Sequence, residues 1–217
     1  MLRFALVSSP RVIFLIIALL LPFLSSAEGM PFSDIPPGAW YESAVELFLN
    51  EGYLDPAQPR FRGSEKALRA EFVKLIIELN GGILTDTPAQ SSFSDVSPGD
   101  WFFPYFEEAA REGWVKGDGE CLGTRACGVR PRAAMTRAEA AALIRRAFGK
   151  KPLGVSPAFK DNPLGSWFTD AVQTAADHCI LRGDDASRNV RPGDALNRAE
   201  MIMMLSRVDK NKRYPGC

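Results

Sequence analysis

Three Arg-Ala-Glu triplets recur along the 217-residue chain, Arg69-Ala70-Glu71, Arg137-Ala138-Glu139 and Arg198-Ala199-Glu200, each followed at once by an apolar stripe. The stripes run Phe72, Leu75, Ile76, Leu79, then Ala140, Leu143, Ile144, Ala147, then Met201, Met204, Leu205, Val208, which is helical spacing. Each arginine is therefore placed in the first turn of a helix. That end already carries partial positive charge, so a cation there is disfavoured by roughly 0.3–1 kcal/mol. Bare helix-start amides beside a guanidinium fork would make a pocket for a carboxylate or phosphate. Equally, each arginine could pair with a carboxylate of its own or a neighbouring unit, with Asp34, Asp95 and Asp161 as natural partners, and fasten the units together.

The triplets belong to a larger repeat. F-S-D-I-P-P-G-A-W, F-S-D-V-S-P-G-D-W and F-K-D-N-P-L-G-S-W end at Trp40, Trp101 and Trp167. Twelve residues beyond each tryptophan stands a small residue, Gly52, Gly113 or Cys179. An apolar-Arg pair follows, Phe61-Arg62, Val129-Arg130 or Val190-Arg191, and eight residues after its apolar member comes the triplet arginine. Shared offsets with loops of varied length mark a duplicated unit. Each unit carries two amphipathic helical patterns, the first led by its tryptophan (Trp40, Ala44, Leu47, Phe48 in the first unit). The tryptophans are read chiefly as core anchors, although an indole edge at a groove also stacks on a sugar ring. A lone helix pair cannot bury its stripe, so three pairs must share a core, and an all-α pseudo-threefold bundle follows.

Capping chemistry agrees. Thr136 to Glu139 forms a capping box and Asn197 to Glu200 a variant, whereas Leu68 holds the cap position in the first unit, whose second helix is expected to begin less sharply.

Residues 1–27 read as a secretory signal: Arg3 and Arg11, an apolar run from Val12 to Leu24, then Ser25, Ser26 and Ala27. Units are assigned to residues 28–86, 87–152 and 153–217. Removing the leader takes Lys+Arg from 26 to 24 against 26 acids, a net charge near −2. That argues against bulk attraction to nucleic acid, and no stable membrane span remains after cleavage. Export permits disulfides: Cys121 and Cys127 could pair locally, and Cys179 could bond Cys217 or serve as a buried small apolar residue. Metal-ligand spacing is absent, so no metal or cofactor is expected. The turn acids Asp118, Glu120, Asp184 and Asp185 lack the ligand alternation of a calcium loop. His178, the single histidine, adjoins Cys179 on a helix, where neighbouring side chains point apart. No G-x-S-x-G, H-E-x-x-H or phosphate-cradling glycine loop occurs, and no enzyme activity is expected.

The leading F-x-D, the tryptophan eight residues after the Phe and the terminal M-T-R-A-E, L-N-R-A-E and A-L-R-A-E resemble the S-layer homology domain across Phe32 to Asp209. The resemblance implies a three-pronged spindle around a central three-helix bundle, exported to the cell surface. It further implies non-covalent anchoring to an anionic, pyruvate-bearing secondary cell-wall polysaccharide. Carried onto this chain, the ligand-binding positions are Arg69, Arg137 and Arg198, their glutamates Glu71, Glu139 and Glu200, and Trp40, Trp101 and Trp167. Arg130 and Arg191 join them as second arginines of their loops. The alternative is an envelope structural module gripping peptidoglycan or a partner protein, surface-layer proteins included. The first groove departs most from the pattern, through Leu68 and the glycine-free L-D-P-A-Q loop.

Overall fold

A computed structural model describes residues 30–82, 84, 87–118, 127–155, 158–184 and 186–208. The expected leader, Cys121, Cys217, Glu120 and Asp185 lie outside the described residues. Six helices alternate in role: α1 (Glu42–Asn50), α2 (Arg69–Leu79), α3 (Phe103–Arg111), α4 (Arg137–Ala147), α5 (Thr169–Asp177) and α6 (Arg198–Ser206). The described residues contain no strand, only isolated bridges, and the fold is all-α as the periodicity requires.

Helices α1, α3 and α5 end in the same way. The residue at the small position takes a left-handed conformation, with φ 76° at Gly52, 71° at Gly113 and 60° at Cys179. The next amide reaches back to the helix, Tyr53 N to Phe48 O at 2.9 Å, Trp114 N to Ala109 O at 2.8 Å and Ile180 N to Ala175 O at 2.9 Å. Two glycines occupy this turn without a Cβ penalty. Cys179 occupies it as a buried, disulfide-bonded residue, and Cys127 is disulfide-bonded as well.

Pairing of helices crosses the repeat boundary. The second helix of each unit packs on the first helix of the next, α2 on α3 and α4 on α5, and α6 returns to α1 to close the circle. In the centre α2 touches both α4 and α6. These central helices are buried on more than one face, as Phe72, Val73, Leu75, Ile76 and Ile77 on α2 illustrate. At their starts the chain is extended, and three backbone hydrogen bonds form a closed ring. Ala67 N donates to Leu196 O at 2.9 Å, Leu196 N to Met135 O at 2.8 Å, and Met135 N to Ala67 O at 2.9 Å. This ring sets the pseudo-threefold axis.

Two expectations need correction. Leu68 provides no side-chain cap, yet α2 begins at its triplet arginine just as α4 and α6 do. Glu71 still accepts from Leu68 N at 2.9 Å, and carbonyls of the second unit fill the first amides. The tryptophans are not core anchors: Trp40, Trp101 and Trp167 are 59%, 53% and 68% exposed. Each precedes its helix, and the aromatic after it, Tyr41, Phe102 or Phe168, turns inward instead.

The F-x-D aspartates hold the loops. Asp34 accepts from Phe61 N at 2.7 Å and Arg62 N at 2.8 Å. Asp95 does the same for Val129 and Arg130 at 2.9 and 2.7 Å, and Asp161 for Val190 and Arg191 at 2.8 and 2.7 Å. Successive amides converge on one carboxylate because the second arginine is left-handed in every unit, at φ 60°, 51° and 52° for Arg62, Arg130 and Arg191. Desolvation works to raise the Asp34 pKa, but the two amides and Arg60 outweigh it and hold it below the ordinary carboxylate value. A carboxyl whose pKa falls on folding stabilises the fold above its unfolded pKa and loses that contribution as pH drops through the folded value. Melting temperature is therefore expected to fall as pH drops below about 4. Asp34→Asn should flatten that part of a thermal-melt series, and an unchanged slope would contradict this reading.

Candidate functional site

The triplet arginines link one unit to the next. Arg69 donates through Nε to Val129 O at 2.8 Å and pairs with Glu139 at 2.9 Å. Arg137 donates to Val190 O at 2.7 Å and Arg182 O at 2.8 Å, and meets Glu200 at 3.4 Å. Arg198 donates to Phe61 O at 2.9 Å, pairs with Glu71 and lies 5.4 Å from the Phe61 ring centre. The other oxygen of each glutamate accepts the amide at its own helix start: Leu68 N, Thr136 N or Asn197 N. Three equivalent clamps thus run around the axis in one direction.

Helix-start amides are not bare. Arg69 N and Ala70 N donate to Ala133 O and Pro131 O, Arg137 N and Ala138 N to Asp194 O and Pro192 O, and Arg198 N and Ala199 N to Glu65 O and Gly63 O, all at 2.9–3.0 Å. The expected pocket of open amides beside a free guanidinium is therefore closed, and the arginine side chains are only 14%, 9% and 12% exposed. Neighbouring carbonyls supply the negative ends that a helix start prefers, and the next unit's glutamate offsets the arginine charge. Fastening is what the geometry shows, with those glutamates as partners rather than Asp34, Asp95 and Asp161.

The second arginines are spent largely within their own loops. Arg62 meets Glu65 at 3.7 Å, Arg130 meets Asp118 at 2.5 Å and Glu139 at 3.0 Å, and Arg191 meets Asp184 at 3.4 Å and Asp194 at 3.5 Å. Two of the turn acids weighed for calcium, Asp118 and Asp184, are thus engaged by arginine. Among the described residues no group of three or more His, Cys, Asp or Glu is placed to hold a metal ion. His178 Nε2 lies 2.9 Å from Lys151 O.

Two cavities lie where three units meet. The larger, about 480 Å³, takes Arg69 from the first unit, Arg130 and Glu139 from the second and Trp167 from the third. The smaller, about 200 Å³, repeats the recipe one step round, with Arg198 of the third unit, Glu71 of the first and Trp101 of the second. Each indole is fixed edge-on by the following aromatic: Trp40–Tyr41 and Trp101–Phe102 at 5.3 Å and 80°, Trp167–Phe168 at 5.4 Å and 89°. An exposed indole braced at a cleft by a neighbouring ring offers an apolar face at a reduced ordering cost on binding.

Lys116, Asp118 and Arg146 complete the larger cavity. Its four cationic side chains face two carboxylates, an excess of two positive charges. Arg146 carries no carboxylate partner among the described residues and donates through Nε to Trp114 O at 2.6 Å. Desolvation, then the charges of Arg69 and Arg145, lowers its pKa, while the residue remains exposed. A cation so placed gains from an incoming anion. Sequence reading missed Arg146 and Lys116, although the repeat contains the signal. Nine residues after the triplet arginine stand Arg146 and Arg207 in the second and third units, and fifteen after the tryptophan stand Lys116 and Arg182.

A family model for the S-layer homology domain matches residues 92–141 and 158–202, the second and third units. Those two units are S-layer homology domains. The first unit repeats the geometry of the other two, from the Asp34 loop clamp to the Arg198–Glu71 link. The chain is 26% identical over 188 residues to an exoglucanase, XynX, of Acetivibrio thermocellus, covering 82% of this chain and 16% of that protein. An S-layer protein of Bacillus thuringiensis subsp. finitimus is 23% identical, with 85% of this chain and 22% of the relative covered. A cellulosome-anchoring protein of Acetivibrio thermocellus is 28% identical over 64% of this chain and 31% of its own length. The chain thus spans less than a third of each of these relatives.

Proposed function

We propose that this chain is a non-catalytic module that attaches to the cell surface by binding an anionic, pyruvate-bearing secondary cell-wall polysaccharide. S-layer homology domains anchor proteins to the cell wall, and the relatives fit that role. A region common to an exoglucanase and an S-layer protein supports attachment, because two proteins of different named roles share it. No helix of the described residues is long and apolar enough to cross a membrane.

The observation that carries the ligand assignment is the larger cavity, in which a surplus of two positive charges sits beside the Trp167 indole. An indole face suits the C–H face of a pyranose, and Arg146 and Lys116 suit a ketal carboxylate on that sugar. Arg69 and Glu139 enter as walls that hold the cavity's shape, as do Arg198 and Glu71 in the smaller one. Arg137 and Glu200 form the matching link between the second and third units, where Arg191 is the loop arginine, and Trp40 is the third exposed indole.

The test is retention of the protein on purified cell walls with and without their secondary polysaccharide. Untreated walls are expected to hold it and stripped walls to release it. Equal retention by both would defeat the polysaccharide reading.

A further inference from the structure

We infer that the two cavities take different parts of the polymer: the Trp101 cavity binds an uncharged sugar residue, whereas the Trp167 cavity binds the charged one. This rests on the polysaccharide reading above and specifies how it is divided between the sites.

The argument comes from equivalent positions. Lys116 in the Trp167 cavity corresponds to Asp55 in the Trp101 cavity, each fifteen residues after the tryptophan of its unit. Arg146 corresponds to Glu78, each nine residues after its triplet arginine. Both cationic positions are therefore reversed to acids in the first unit. The third cation, Arg130, corresponds to Arg62, which meets Glu65 at 3.7 Å and does not line the smaller cavity.

Cations that do line the Trp101 cavity are already matched. Lys74 pairs with Glu78 at 2.8 Å and donates to Tyr53 O at 3.2 Å, while Arg198 pairs with Glu71. Asp55 is turned to its own loop, accepting from Ala57 N at 2.9 Å and Gln58 Nε2 at 3.1 Å. An incoming carboxylate would find no unmatched cation there among the described residues and would face Asp55. What the cavity does offer is apolar. Trp101 is 53% exposed and braced by Phe102 and by Tyr105 at 6.4 Å, with Leu75 and Met201 in the wall. Stacking on a neutral pyranose uses that surface and leaves the ion pairs in place.

Indole amide signals of the whole chain should be followed while a disaccharide without a ketal, and then its pyruvylated form, is added at low and at high salt. The unmodified sugar is expected to shift Trp101 with an affinity that salt leaves within about twofold, and the pyruvylated form to shift Trp167 with an affinity that salt lowers about tenfold or more. Asp55→Lys combined with Glu78→Arg gives the first unit the charges of the second and should raise the affinity of the Trp101 site for the pyruvylated form about tenfold. A silent Trp101 beside a responding Trp167 overturns this inference alone, as does a Trp101 that prefers the pyruvylated form in the unaltered protein. Silence of both indoles removes the polysaccharide reading beneath it.

Discussion

Arg137→Ala is expected to destabilise the fold by about 3–5 kcal/mol, because it strips one partner from a buried charged network. The guanidinium is 9% exposed and serves Val190 O, Arg182 O and Glu200 at once, so its removal takes this donor from two carbonyls and from one oxygen of Glu200. Burial lowers the pKa of this arginine against the opposing pull of Glu200. For a domain of this size the loss corresponds to a drop of roughly 10 °C in melting temperature. Lysine should recover only part of it, since one ammonium lacks the planar fork that spans three acceptors. Thermal unfolding followed by circular dichroism measures both variants. A melting temperature within about 2 °C of the parent for Arg137→Ala would show that the link between the second and third units bears little weight.

At the Trp167 cavity the expected losses fall on affinity and leave stability intact. Trp167 is 68% exposed and Arg146 has no carboxylate to abandon among the described residues. Trp167→Ala and Arg146→Gln should each weaken binding of acidic wall polysaccharide about tenfold or more, the usual scale for an aromatic or arginine at the centre of a site. Neither should shift the melting temperature by more than about 2 °C. Raising salt should erase most of the difference between Arg146→Gln and the parent while leaving the Trp167→Ala deficit, because only the first is electrostatic. Parent-like binding by both variants would show that this cavity does not contact the polymer.

Much of this architecture is readable from residue spacing. The constant step from Phe to Trp and from the apolar-Arg pair to the triplet defines three units, and the stripes after Glu71, Glu139 and Glu200 place the central helices. What spacing does not convey is the rotation between units. Whether Arg69 meets an acid of its own unit or the next depends on which carbonyls dock on the helix start, and that is settled by the ring through Ala67, Met135 and Leu196. The tryptophans depart from expectation for a different reason. Indole area suggests burial, but each is followed by a second aromatic, Tyr41, Phe102 or Phe168, and only one of the pair can fill the inward position ahead of the helix. Cys179 stands in a glycine's left-handed turn, so its place follows from aligning it with Gly52 and Gly113. Arg146 and Lys116 do not stand out among residues common to all units, because the first unit carries Glu78 and Asp55 in their places.

Calorimetric titration of the intact protein with a pyruvylated disaccharide and with its unmodified counterpart addresses the anionic-ligand assignment most directly. The pyruvylated sugar should bind at least about tenfold more tightly at low salt, with Arg146→Gln removing most of that advantage. Equal affinities at low salt, or an advantage that survives in Arg146→Gln, would contradict recognition of the carboxylate by the cation-rich cavity.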